Sequence, residues 1–205
     1  MNWRECKNLI LQDYNRKESA KLNSGTFYKY FTKLIVSESF KVTFWFRVLS
    51  YLRNKGSLGK LLYYPVRFHY MHVQRKTGIQ LPIGTKVGGG ICFCHFGSVV
   101  IANSVIIGKN VSIHPDVTIG RIFAGAKRGV PIIGDNVVIF AGAKIVGNIR
   151  IGNNAVVGPN AVVIDDIPND SVAVGVPAKV ISEESSKCFD EFWGAVFEHP
   201  YIINR

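Results

Sequence analysis

Stepping six residues at a time along this chain returns a branched aliphatic side chain almost without fail. From Ile83 the steps fall on Gly89, His95, Ile101, Ile107, Ile113 and Ile119, then after a gap on Ile133, Ile139, Ile145, Ile151, Val157 and Val163. Only Gly89 and His95 break the rule. Four residues behind each step runs a second apolar register: Val87, Phe93, Val99, Val105, Val111 and Val117, then Val137, Ala143, Ile149, Ala155, Ala161 and Ile167. Six is a whole number of strand alternations, so every repeat presents its branched residue to one face. A helix of 3.6 residues per turn would lose that register. Turn-forming pieces such as Ile107-Gly108-Lys109-Asn110, Ile133-Gly134-Asp135-Asn136 and Ile151-Gly152-Asn153-Asn154 separate the apolar pairs. Gly and Asn tolerate the positive φ that a tight corner demands. The pattern predicts a mainly β chain, a parallel β-helix whose coils are stacked at about the 4.8 Å strand spacing and bury one continuous core.

The rest of the 205 residues divides around this repeat. We expect a helical N-terminal region over 1–77, the β-helix over 78–181 and a C-terminal helical tail over 182–205. The N-terminal region should hold one polar helix to about residue 22, two pieces between Phe27 and Asn54 meeting near Ser37 to Ser39, and a segment from Lys60 to Lys76 interrupted or started at Pro65. Phe189, Phe192, Trp193, Val196 and Phe197 give the tail an apolar stripe.

Charge is concentrated ahead of the repeat. Residues 1–80 carry 15 Lys and Arg against 4 Asp and Glu, whereas 81–205 carry 10 against 10. Solvated helix faces are the plainer reading; the other is an anionic partner, with a membrane surface ahead of nucleic acid because no nucleic-acid recognition motif accompanies the bases. Lys41, Arg47, Arg53 and Lys60 interrupt every apolar run that could span a bilayer, and the first residues do not read as a signal peptide. Cys6, Cys92, Cys94 and Cys188 form neither a zinc-ligand spacing nor a disulfide framework, which fits a reducing cytoplasm.

Two histidines stand out. His95 takes a step otherwise given to Ile or Val, so its ring must find polar partners or leave the core. That leaves two readings, an irregular first coil with a satisfied histidine or a functional group. His114, beside the core position Ile113, should point outward and is a rival base. Between Ile119 and Ile133 lie about eight residues more than one hexad needs, an excursion bearing Arg121, Lys127 and Arg128. Loops that leave a rigid scaffold often carry function.

The hexads, with Gly147-Asn148-Ile149 and the closing Gly175-Val176-Pro177-Ala178-Lys179, resemble the hexapeptide-repeat acyltransferases, and among them the serine acetyltransferase branch. The resemblance covers about residues 78–181. It implies a left-handed triangular β-helix, a homotrimer, acetyl-CoA as co-substrate and no metal. Cys94-His95-Phe96-Gly97 is similar to the family's Asp-His-x-x-Gly, which makes His95 the implied general base. Imidazole suits that work, because it exchanges protons near neutral pH. Gln80 stands where the family orients its base with a carboxylate, and Cys94 where an acid helps hold the acceptor's amino group. Arg128-Gly129-Val130-Pro131 replaces the family's Arg-His-Pro, leaving Arg121 and Arg128 as candidate acceptor ligands. By position, Ala141 and Pro159 would line the pantetheine path, with Phe140 narrowing it where glycine is common, and Lys179 would reach coenzyme phosphates.

Without the carboxylates and the second histidine, a zwitterionic amino acid should bind poorly. The chain also resembles the serine acetyltransferase-like O-acetyltransferases of surface polysaccharide biosynthesis, so a saccharide hydroxyl is the expected acceptor. The alternatives are L-serine and, from another class, a non-catalytic β-helix scaffold. A basic N-terminal region would suit a cytoplasmic enzyme working at the inner face of a membrane.

Overall fold

The computed structural model describes residues 1–16, 34–35, 37–53 and 55–185. Helices α1 (Trp3–Asn15), α2 (Glu38–Leu52) and α3 (Ser57–Thr77) precede fifteen short strands, β1 (Ile79–Gln80) to β15 (Ala178–Ser182). Successive strands never pair until the last two. Instead strands three apart are hydrogen-bonded, in the orders β1-β4-β7-β10-β13, β2-β5-β8-β11 and β3-β6-β9-β12-β14-β15, with β12 to β14 a step of two because Ile167 contributes an isolated bridge to Ile151 in place of a strand. Three strands per turn make three sheets, the walls of a left-handed triangular prism. The prism ends where β14 (Val172–Gly175) folds back on β15 as an antiparallel pair.

Both apolar registers point inward. Val99, Ile101, Val105, Ile107, Val111, Ile113, Val117 and Ile119 are buried, as are their counterparts one and two coils on. Each corner turns on residues at positive φ. At one corner Asn110, Asn136, Asn154 and Asp170 lie at φ 56–58° and form a ladder of amide hydrogen bonds 3.1, 2.9 and 2.8 Å long. Short polar side chains tolerate the left-handed region and here also close the coil-to-coil contact.

The coil step corrects one expectation. Cys92 pairs with Ser112, a step of 112 − 92 = 20, whereas Val100 pairs with Thr118, a step of 118 − 100 = 18. The first coil therefore holds two extra residues, inserted in the turn between β3 (Cys92–Phe93) and β4 (Val99–Ile101). Counting back from Ile101 in sixes across that insertion lands on His95 and Gly89, but neither occupies a core slot. The residues that fill the first coil are Ile79, Leu81, Ile91 and Phe93. At the excursion Ser112 pairs with Val138, a step of 138 − 112 = 26, eight beyond the regular 18, as the sequence predicts.

The helices also differ from expectation in detail. Helix α1 stops at Asn15 and α2 starts after its N-cap Ser37. Pro65 neither starts nor interrupts α3, which runs straight through it. Pro65 is exposed, so the carbonyl it fails to pair can turn to water. Expectations for the segment from residue 17 to 33 and for the tail beyond 185 fall outside the described residues.

One buried ion pair fastens helices to prism. The guanidinium of Arg47 on α2 donates to the Asp13 carboxylate of α1 from Nε (2.9 Å) and Nη2 (3.2 Å), and to the carbonyls of Val87 (2.7 Å) and Gly88 (2.6 Å). Asp13 in turn accepts the N–H groups of Gly90 (2.8 Å) and Ile91 (3.2 Å). Burial pushes the Asp13 carboxyl above its ordinary value, while Arg47 and the two backbone N–H groups oppose that push. Gly88-Gly89-Gly90, otherwise unexplained, is the seat of this pair: a Cβ at Gly89 would overlap the Gln12 side chain.

Candidate active site

His95 sits in the enlarged turn that carries the chain from β3 into β4, and its side chain is exposed. Three contacts fix the turn without touching the ring. Cys94 N–H donates to the Ile113 carbonyl (2.9 Å) on the next coil, and Gly97 N–H donates to the Thr77 carbonyl (3.0 Å) at the end of α3. Gly97 adopts φ +148°, where a Cβ would stand 3.1 Å from Pro115. Upstream, Phe93 N–H donates to Ser39 Oγ (2.9 Å), so α2 braces the strand just before the turn. The turn is thus braced on both sides of His95, whose side chain stands exposed.

The same corner continues down the prism. Beneath the turn lie His114, Pro115 and Asp116, then Phe140, Ala141 and Gly142, then Gly158, Pro159 and Asn160. Backbone bonds from Gly142 N–H to Pro115 (3.0 Å) and from Asn160 N–H to Ala141 (2.9 Å) set this order. Ala141 and Pro159, the two positions expected to line a pantetheine path, are exposed in one column below His95. Phe140 does not stand free across it. Its ring stacks on His114, with centroids 5.0 Å apart and planes 28° from parallel. His114 is thus outward-facing, as expected, but half-buried against an aromatic ring, whereas His95 is exposed.

Gln80 is exposed on β1 and pairs in register with Val100, and among the described residues no side chain hydrogen-bonds His95. Cys94 is half-buried at the start of the turn. The excursion lies elsewhere. Ile122 and Gly129 exchange two backbone hydrogen bonds of 3.0 Å to make a small hairpin. It leaves from the far ends of the strands that His95's turn leads into, between β7 (Thr118–Gly120) and β8 (Ile132–Ile133). Arg121 and Arg128, both exposed, are therefore separated from His95 in the same chain by the width of a prism wall, roughly 15 Å at about 3.3 Å per residue. Arg121 Nη2 donates to the Asn103 carbonyl (3.3 Å). Lys127 pairs with Asp165, holding that carboxyl below its ordinary value, and Lys179 adds a weaker push in the same direction. Lys179 is exposed on β15.

Two further residues stand at the His95 corner, of which Asp116 escaped the sequence reading. Phe96, 74% exposed, presents an aromatic ring beside the histidine. Asp116, across the coil from Ser98 and at φ 61°, is among the described residues the only carboxylate on this corner from Cys94 to Asn160. Asp116 belongs to no motif; only the coil register brings it beneath the turn. Among the described residues no cluster of metal-ligating side chains occurs.

Comparison with known proteins agrees with the architecture. Residues 131–165 match the family described as bacterial transferase hexapeptide (six repeats). A serine acetyltransferase of Staphylococcus aureus strain Mu50 is 38% identical over 128 residues, 62% of this chain and 57% of that protein. The chain therefore spans little more than half the length of this relative. Soybean serine acetyltransferase, solved as the apoenzyme, superposes with a TM-score of 0.70 at 30% identity, over 87% of this chain and 69% of that one. A serine acetyltransferase solved in complex with CoA gives 0.69 at 25% identity, over 87% and 71%.

Proposed function

The chain belongs to the hexapeptide-repeat acyltransferases, on their serine acetyltransferase-like branch, and we propose that it moves the acetyl group of acetyl-CoA onto a hydroxyl acceptor. The observation that carries the reading is the column of one prism corner: an exposed imidazole on a braced turn above Ala141 and Pro159. A thioester arm lying along that column brings its carbonyl to His95. The imidazole takes the acceptor's hydroxyl proton as that oxygen attacks the carbonyl carbon. A backbone N–H steadies the oxyanion, the carbon–sulfur bond breaks, and the imidazolium returns its proton to the departing thiolate.

For the acceptor, the named relatives favour L-serine over the saccharide that the sequence suggests, and L-serine is the first acceptor to test. Asp116 adds weight, because it supplies this corner with the negative charge that Cys94 does not. A saccharide hydroxyl stays as a second reading on one specific ground: Gln80 in place of a carboxylate, with exposed Phe96 beside the base, suits a neutral polyhydroxylated ring. Arg121 and Arg128 can meet His95 only if another copy of the chain delivers them, which supports the homotrimer that the family resemblance implies. In this reading the enzyme works in the cytoplasm, where acetyl-CoA is at hand.

Thiol release from acetyl-CoA, measured with L-serine and with a panel of sugars, tests both acceptors, and mass spectrometry of the product locates the acetyl group. Turnover with serine alone eliminates the saccharide reading; turnover with a sugar alone eliminates serine. No calorimetric binding of acetyl-CoA would overturn the enzymatic reading and leave a scaffold.

A further inference from the structure

Helix α3 has two apolar faces. Tyr63, Val66, Tyr70, Val73 and Thr77 form the inner one, with Tyr70 fully buried and its hydroxyl donating to the Leu81 carbonyl at 2.7 Å. At 100° per residue these side chains centre on one direction, and Leu61, Tyr64, Phe68 and Met71 centre on the opposite one. The outer four are exposed by 71, 69, 76 and 38%. An amphipathic surface helix normally turns charge outward on that side. Here the outer stripe extends about 15 Å and is flanked by Lys60, Arg67, Arg75 and Lys76.

The charge pattern identifies what could cover it. Between Glu38 and Asp116 the sequence contains no acidic residue, so α3 and everything adjoining it in the chain is cationic or neutral. Apposing two copies of this face would set four cations against four with no counter-charge, which disfavours self-association. A surface that is apolar at depth and anionic at its head groups matches both features. We propose that the outer face of α3 lies on an anionic lipid bilayer, Leu61, Tyr64, Phe68 and Met71 entering the head-group boundary while Lys60, Arg67, Arg75 and Lys76 meet lipid phosphates. The helix rests on the surface and does not cross it, since no described helix is long and apolar enough to span. The inference does not depend on the transfer chemistry.

Sedimentation of the full chain with phosphatidylcholine vesicles, with and without phosphatidylglycerol, tests it. The protein pellets with the anionic vesicles at low salt and is released at high salt, because surface charges are screened within a Debye length. Arg67→Gln/Arg75→Gln/Lys76→Gln weakens partitioning on the order of a hundredfold. Leu61→Gln/Phe68→Gln weakens it while light scattering shows an unchanged particle mass. No co-sedimentation, equal pelleting with neutral vesicles, or a triple variant that binds like the parent overturns the proposal. So does a Leu61→Gln/Phe68→Gln chain of reduced mass, which would assign this face to contacts between copies.

Discussion

Replacing Arg47 by Met tests how strongly the buried ion pair holds α1 against α2 and the prism. The side chains of Arg47 and Asp13 are 3% and 1% exposed, so the variant strands a carboxylate away from water. It also removes the donors that serve the Val87 and Gly88 carbonyls. Breaking a buried pair from one side costs about 3–5 kcal/mol. Local opening of α1 should then become easier by roughly a thousandfold, at about 1.4 kcal/mol per decade. Hydrogen exchange read by mass spectrometry resolves this by segment: amides of residues 3–15 lose protection, while those of the prism from 99 to 163 keep theirs. Asp13→Asn in the same chain removes the stranded charge, so the double variant recovers part of the loss and the two changes are not additive. Exchange in α1 within about threefold of the parent, or strict additivity in the double variant, would refute the argument.

Other outcomes follow from the same geometry. Gly97→Ala forces a side chain into φ +148° and against Pro115, costing about 1–3 kcal/mol; it should lower the melting temperature and reduce thiol release by displacing the His95 turn. Asp116→Asn should raise KM for L-serine about tenfold, the loss expected when a charged hydrogen bond is removed, and leave KM for a neutral sugar unchanged. Because Lys127 lowers the Asp165 carboxyl, its ion pair is intact above the ordinary carboxylate range and is lost as pH falls through the lowered value. An NMR titration of the Asp165 carboxyl carbon should show its midpoint rise in Lys127→Ala; an unmoved midpoint would mean that the excursion is not pinned there.

The prism was legible because one physical rule, an apolar pair returning with every hexad, writes it repeatedly into the chain. The eight-residue excursion was equally plain, since it interrupts that count. What counting missed was the two-residue enlargement before Val99. An insertion in a turn bears no residue signature, and it displaced the frame so that an exposed His95 looked like a core substitution. The histidine was singled out by a frame that the coil register overturns; its exposure is what the structure adds. Gly88-Gly89-Gly90 was opaque because its explanation lies on Asp13 and Arg47, more than forty residues away. On α3, Tyr63 and Tyr70 pack inward while Tyr64 and Phe68 are exposed; they differ by one helical step or two, and a stripe on each side of a helix cannot be separated by composition. That Arg121 and Arg128 leave from the opposite edge of the wall from His95 in the same chain is not visible in a linear sequence.

The account stands on the exposed imidazole at the top of the corner column. Thiol release from acetyl-CoA should be measured for His95→Ala and His114→Ala side by side, each checked for native circular dichroism and particle mass. Loss of a general base predicts a fall of about 10²–10⁴-fold in kcat for His95→Ala with little change for His114→Ala. Full turnover in His95→Ala, with the loss transferred to His114→Ala, would contradict it.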